Sequence, residues 1–284
     1  MENKRFLWLI LLGLALVVCV CCAAAAGVAV WSGWNLSNTI GGSGPIAVVA
    51  QEVQTLPTQG PIILNVNVPV GDVVVRAGSE PQVKVEATRR AWGISRARAQ
   101  EVLDGITIQV RQTGDQVWVE ATGLSATGRP GQSPRADLVV TVPRQTSLNL
   151  DVKVGRVTAS GLHGDVWVRT DVGEATLTDV VPVEQLDIRT RVGNVKLTGP
   201  LTPAASYEIV SDVGRIAVWL PADSSFSINA RSDIGDVEMG FTLSGISARE
   251  GFVSKEVRGE VGPSPTTSLN LRSRVGAISV RPAR

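Results

Sequence analysis

Apolar and polar positions alternate along most of residues 61–284, and between residues 148 and 280 the alternation becomes one phrase repeated. Asp-Val-Lys-Val-Gly-Arg-Val-Thr-Ala begins at Asp151, Arg-Thr-Arg-Val-Gly-Asn-Val-Lys-Leu at Arg189, and Arg-Ser-Arg-Val-Gly-Ala-Ile-Ser-Val at Arg272. The repeating glycines are Gly155, Gly173, Gly193, Gly214, Gly235 and Gly276, at steps of 18, 20, 21, 21 and 41 residues. Residues two apart share one face of a strand. The positions five, three and one before each glycine are therefore expected inside, as in Ile188, Thr190 and Val192. Units of about 20 residues that cannot bury a hydrophobic face alone must stack. The pattern predicts an all-β fold, a β-solenoid or β-helix-like domain with rungs of roughly that length. The double-length last step predicts one rung lost or distorted between Phe241 and Thr267.

After each glycine the apolar phase shifts, with the next inward positions two and four residues on, as in Val195 and Leu197. A turn with φ > 0 re-aims a chain in this way, so the glycines are read as structural rung turns. Two residues before them stand Lys153, Asp171, Arg191, Asp212, Asp233 and Arg274. Strands about 4.8 Å apart would bring these side chains within ion-pair reach as a charge ladder that reports register, although solubility alone also explains charge on a wet face. The inward Thr170, Thr190, Ser211, Ser232 and Ser273 read as a packing ladder of small residues.

Upstream, residues 62–68 and 82–88 read as strands, and Val70-Gly71-Asp72-Val73 is a first, diverged copy of the phrase whose register is left open. Ser95 offers an N-cap to a short inserted helix with Ala99, Val102, Leu103 and Ile106 on one face. Residues 106–111 and 116–121 form a hairpin about Thr113-Gly114-Asp115, and residues 136–142 a strand leading to Pro143.

Residues 6–30 are an uncharged apolar run behind Glu2, Lys4 and Arg5. As a helix the run would extend about 37 Å, enough to cross a hydrocarbon core of about 30 Å with some tilt. Trp8, Trp31 and Trp34 fit the interfacial belts, and the basic tip places residues 1–5 in the cytoplasm. The expectation is a single transmembrane helix in the plasma membrane, a Gly/Ser/Thr-rich juxtamembrane linker over residues 31–60, and an extracytoplasmic domain over residues 61–284. A cleaved signal peptide, with Ala24 and Ala26 before Gly27, is the alternative. Cys19, Cys21 and Cys22 all lie within the span, so no disulfide is expected outside it. Of 27 basic and 26 acidic residues only Glu2, Lys4 and Arg5 fall in the first thirty, leaving a formally neutral remainder that argues against a nucleic-acid partner.

A basic tip and membrane helix, Val70-Gly71-Asp72-Val73-Val74-Val75, an alternating strand, a short helix, a strand ending in Val142-Pro143, and serial Val-Gly-x-[Val/Ile] rungs follow one another in that order. This order resembles the bacterial putative-adhesin family of unknown function, over roughly residues 62–280. The resemblance implies a cell-envelope β-solenoid, adhesin-like, with no catalytic residues to carry over. Family members carry Ser-Gly-Asp at the rung turn. Here valine or isoleucine precedes the rung glycines, and Asp follows Gly71, Gly164 and Gly235 but not Gly155, Gly173, Gly193, Gly214 or Gly276, which removes any regular calcium column.

The single histidine, His163, stands between Gly161 and Gly164 with Asp165 and Ser160 nearby, and reads as a turn residue before a catalytic one. Phosphate loops, dinucleotide fingerprints and zinc spacings are missing, so no cofactor or metal is expected. A polysaccharide-active enzyme would need carboxylates and basic residues on one face, and Arg189, Arg191, Asp212, Arg215, Arg231 and Asp233 supply candidates that a ladder also explains. Trp167 and Trp219 are the best platforms for a sugar ring. Two roles remain: an interaction module with an envelope protein or glycan as partner, signalled by an apolar strip bearing both tryptophans, and a structural, regulatory or sensory module serving a membrane system.

Overall fold

The computed structural model describes residues 45–124, 134–251 and 254–283. The expected membrane span, its alternative cleavage site and the three cysteines lie outside these residues. Among the described residues no helix is long and apolar enough to cross a membrane.

The described chain is all-β with one helix, and its strands form two large sheets. The lead-in comprises β1 (Ile46–Pro57), β2 (Ile62–Val70), β3 (Val73–Gly78), β4 (Gln82–Gly93), α1 (Arg96–Asp104), β5 (Thr107–Thr113), β6 (Gln116–Thr122) and β7 (Arg135–Pro143). Strand pairs then flank the repeating glycines: β8 (Thr146–Val154) and β9 (Val157–Ser160), β10 (Val166–Val172) and β11 (Ala175–Thr178), β12 (Gln185–Val192) and β13 (Val195–Thr198). They continue with β14 (Ser206–Val213) and β15 (Ile216–Leu220), then β16 (Phe226–Ile234) and β17 (Val237–Met239). Next come β18 (Ser244–Glu250), β19 (Lys255–Val261), and the pair β20 (Ser268–Val275) and β21 (Ile278–Pro282).

The long strand before each glycine joins one sheet and the short strand after it joins the other, so each unit crosses from sheet to sheet at its glycine. Neighbouring units pair in parallel with the columns in register, as in Ile188 beside Val168 and Ile209, and Val195 beside Ala175 and Ile216. The inward faces meet in a core built of Leu150, Ile188, Ile209 and Leu271 from one sheet and Leu177, Leu197, Val218 and Val280 from the other, each at most 3% exposed. Every such side chain contributes about 1.5–3 kcal/mol through burial.

The structure departs from the sequence reading in four places and gives one register that the sequence left open. The double-length step holds an antiparallel hairpin where a parallel rung is missing, as its length implied, but the units on either side of it do not stack in chain order. The chain leaves β17, forms the antiparallel hairpin β18–β19 outside β16, and returns so that β20 is inserted between β14 and β16, while β21 lies between β15 and β17. The spatial order of units is thus Gly214, Gly276, Gly235. Residues 46–57, read as linker, form the edge strand β1, antiparallel to β4. Gly71, whose register was open, lies in the unit directly beside Gly155, because β2 pairs with β8 with Val70 opposite Val154.

The column one residue before the glycines is outside, not inside: Val154, Val172, Val192, Val213, Ile234 and Val275 are all exposed. In β10, Thr170 points in, Asp171 is half-buried and Val172 is exposed, so the chain turns its corner one residue earlier than the glycine and leaves the valine on the convex side. Helix α1 begins at the Ser95 cap, whose hydroxyl accepts from the Arg98 amide, and buries Ala99 and Leu103, but its Val102 is exposed.

Candidate functional site

Extended strands in parallel register lay one column of side chains across the outer face of the β2-containing sheet for every outward position of the repeat. Six residues before the glycines, the column runs Trp118 of β6, Asn65 of β2, Asn149 of β8, Trp167 of β10 and Asp187 of β12. Two residues further along the strands it runs Glu120, Asn67, Asp151, Arg169 and Arg189. Trp118 and Trp167 stand three strand spacings apart, about 14 Å at roughly 4.8 Å each. Between them the Asn149 amide donates to Asn65 Oδ1 at 3.2 Å. A shallow trough passes over Asn65, Asn67, Trp118 and Glu120, and continues past Asn149 and Asp151 to Trp167, Arg169 and Arg189.

The cations of this trough differ. The Arg189 Nε donates to Asp187 at 2.9 Å and its terminal nitrogen reaches Glu208 at 3.1 Å. The hydrogen bond to Asp187 is the main cause that holds this guanidinium above its ordinary pKa, against a small opposing effect of burial. Lys153 lies 3.0 Å from Asp151. Arg169, exposed beside Trp167 and between Asp151 and Arg189, has no hydrogen-bond or ion-pair partner among the described residues. Trp167 itself is 40% exposed. Trp219 is on β15 in the other sheet, under Lys196 with the ammonium 4.8 Å from the ring centroid. The expected strip carrying both tryptophans is therefore absent: they belong to different sheets, and the apolar strip on the surface is the valine column at the corner.

The remaining sequence candidates fall into three groups. The glycines Gly71, Gly155, Gly173, Gly193, Gly214, Gly276 and Gly235 form one spatial column with φ between 140° and 156°. A Cβ on Gly214 would come within 1.9 Å of the Gly193 carbonyl oxygen, so conformation and close approach both demand glycine there. Beneath them the buried serines do more than pack: Ser211, Ser273 and Ser232 donate to the carbonyls of Gly193, Gly214 and Gly276 in the neighbouring unit at 3.2, 3.1 and 2.8 Å. The hydroxyls of Thr170 and Thr190 find no partner among the described residues.

The charge column reads Lys153, Asp171, Arg191, Asp212, Arg274, Asp233 in space. Arg191 lies 3.5 Å from Asp171, and Arg274 lies 3.2 Å from Asp212. Asp233 is held below its usual pKa, chiefly by the hydrogen bond from Arg231 and further by Arg272. His163 accepts from Arg144 through Nε2 at 3.3 Å. Asp165 Oδ1 accepts the amides of Val183, Glu184 and Gln185 at 3.1, 2.7 and 3.0 Å, which makes it a loop cap. Sequence reasoning missed Asn65, Asn149, Trp118 and Arg169. Extending the glycine alignment to the fourth and sixth residues upstream would have lined up three of them; Trp118, on a hairpin outside the repeat, carries no such signal.

No protein-family model matches the sequence, and no curated protein matches it. Similar solved structures include a putative cell adhesion protein from Clostridium sporogenes, 16% identical over 84% of this chain and 100% of its own, with a TM-score of 0.48. A putative adhesin from Bacteroides fragilis is 13% identical, over 81% of this chain and 96% of its own, with a TM-score of 0.42. A putative adhesin from Parabacteroides distasonis is 8% identical, over 82% and 97%, with a TM-score of 0.28.

Proposed function

We propose that the chain is a membrane-anchored, extracytoplasmic β-solenoid that serves a bacterial cell envelope as an adhesin-like, non-catalytic interaction module. The observation that carries the reading is the outer face of the β2-containing sheet, where rigid in-register strands present tryptophan, amide and guanidinium groups in an open trough. Binding surfaces on such stacks are extended because each unit adds one strand to the same face. The single histidine and the acid beside it are engaged otherwise, with His163 facing Arg144 and Asp165 spent on three amides. The apolar run of residues 6–30 supports anchorage, and the basic residues before it support a cytoplasmic N-terminus.

The structural or sensory reading is favoured by a different observation: toward Gly235 the outer face consists largely of ion pairs, such as Arg274 with Asp212 and Arg272 with Asp233. One experiment separates the two roles. Cells displaying the full chain are expected to retain added fluorescent cell-wall fragments at several times the level of cells lacking it. Equal retention would put the structural role first. For topology, a Ser43→Cys variant is expected to react with an impermeant maleimide on intact cells, and protection there would reverse the orientation.

A further inference from the structure

We propose that the trough between Trp118 and Trp167 is a binding site for an extended acidic glycan, with the two indoles as ring platforms and Arg169 as the partner of a sugar carboxylate. The inference rests on the interaction-module reading and names its ligand. Three features of the trough meet the chemistry of such a chain. Pyranose rings present C–H faces that pack on indole, and Trp167, 40% exposed, shares with the half-buried Trp118 a column whose other members are polar. Sugar hydroxyls both donate and accept. Between the tryptophans, Asn149 gives one amide hydrogen to Asn65, leaving its own carbonyl and the Asn65 amide group open among the described residues. The span of about 14 Å between platforms is that of three strand spacings, which suits an oligosaccharide better than a single sugar.

The charge follows from Arg169. Its neighbours across the strands are neutralised, Asp151 by Lys153 and Arg189 by Asp187 and Glu208, while Arg169 has no partner among the described residues. Its planar fork matches a carboxylate in two parallel hydrogen bonds. A neutral glycan would leave this cation unused. An acidic peptide would use it too, but an extended peptide presents no flat C–H ring face at each of the two indoles. The open, shallow form of the trough admits a chain that enters and leaves along the strands' stacking direction.

The test uses the full chain in detergent and calorimetric titration with linear tetrasaccharides containing uronic acids, each paired with its methyl ester. The acids are expected to bind saturably and at least tenfold more tightly than their esters, and the difference is expected to shrink as salt rises. Arg169→Gln should abolish the preference while leaving ester binding in place. Trp167→Ala should weaken both forms at least tenfold, and Trp167→Phe should restore part of the loss. Trp219→Phe, on the other sheet, should change neither. Thermal unfolding of each variant at the temperature of the parent chain ensures that a loss belongs to the site. Absence of binding by any member, equal binding of acids and esters, or binding indifferent to Trp167 would overturn the proposal. If these titrations fail while displayed chains still retain cell-wall fragments, the interaction role survives and only this site falls.

Discussion

The units around Gly155, Gly173, Gly193 and Gly214 stack in the order of the chain, whereas those around Gly235 and Gly276 stack in reverse. Both regions use the same local devices: a glycine crossing, an inward small residue and an outward charge. Such units are mutually compatible, so hydrogen bonding alone does not fix which neighbour each one takes. The charge column supplies a preference. In chain order Asp212 would face Asp233; with β20 between them, Arg274 separates the two acids and the column alternates throughout. Like charges directly opposite on neighbouring strands are destabilising, and opposite charges are favourable by about 0.2–1 kcal/mol. The hairpin β18–β19 reinforces this order, because it covers the outer edge of β16 and leaves only its inner edge for β20.

The sharpest way to break the comparison is to remove the inserted unit. A chain ending at Gly262 loses the buried Leu269, Leu271, Ile278 and Val280, worth together about 6–12 kcal/mol. That is comparable with the whole stability of a domain, about 5–15 kcal/mol. Calorimetry should show loss of cooperative unfolding; a single transition near that of the parent chain would mean that β16 can pack on β14 directly.

A glycine in the crossing column comes next. Gly214→Ala must hold alanine at φ 153° and displace the Gly193 carbonyl, costing about 2–6 kcal/mol by denaturant titration. Gly245→Ala, at φ 61° with no atom within 4 Å of the added methyl, should cost only about 1–2 kcal/mol. Equal effects would mean that the close approach is of no consequence.

The hydroxyl column distinguishes the regions more finely. Ser273→Ala removes the donor to the Gly214 carbonyl and should destabilise by about 0.5–1.5 kcal/mol, whereas Thr190→Val replaces a hydroxyl without a partner and should be neutral or stabilising. Smaller still is the charge column. Arg274→Glu would set three acids side by side and cost about 1 kcal/mol at low salt, with Asp212→Lys recovering part of it. Arg191→Glu, between Asp171 and Asp212 in the regular region, should behave alike, and strict additivity with Asp171→Lys would show that the column does not act as one.

The smallest effect is a pH dependence. The folded pKa of Asp233 lies below the ordinary 3.8, so its contribution is complete at neutral pH and disappears as pH falls below about 4 through the folded value. Asp233→Asn should flatten the acid limb of the stability profile and leave the rest unchanged; an unaltered limb would remove Asp233 from the account.

Much of this was legible in residues. Parallel stacking followed from the columns around the glycines, because an interior repeated at a fixed step has few other ways to close. The corner was misjudged because valine before glycine looks like one more inward position, and alternation cannot reveal where a strand bends. Edge strand β1 was missed because Gly, Ser and Pro flank it, although Val48, Ala50 and Leu56 of that strand pack against the core. The reversed order was hidden because spacing gives a step length without a direction. The like pair of Asp212 and Asp233 in chain order was its one visible trace. The trough was hard to see for a different reason: it is assembled across strands from single residues of each unit, one of them on the β5–β6 hairpin.

The insertion of β20 also bears on how the molecule is made. In the chain β14 and β16 precede β20, so until β20 has been made each of them has an unpaired edge of compatible register. If they join early, the slot for β20 closes, and correct assembly then requires that contact to reopen. In such a contact the like charges of Asp212 and Asp233 would lie opposite each other and disfavour it, whereas with β20 in place Arg274 lies 3.2 Å from Asp212.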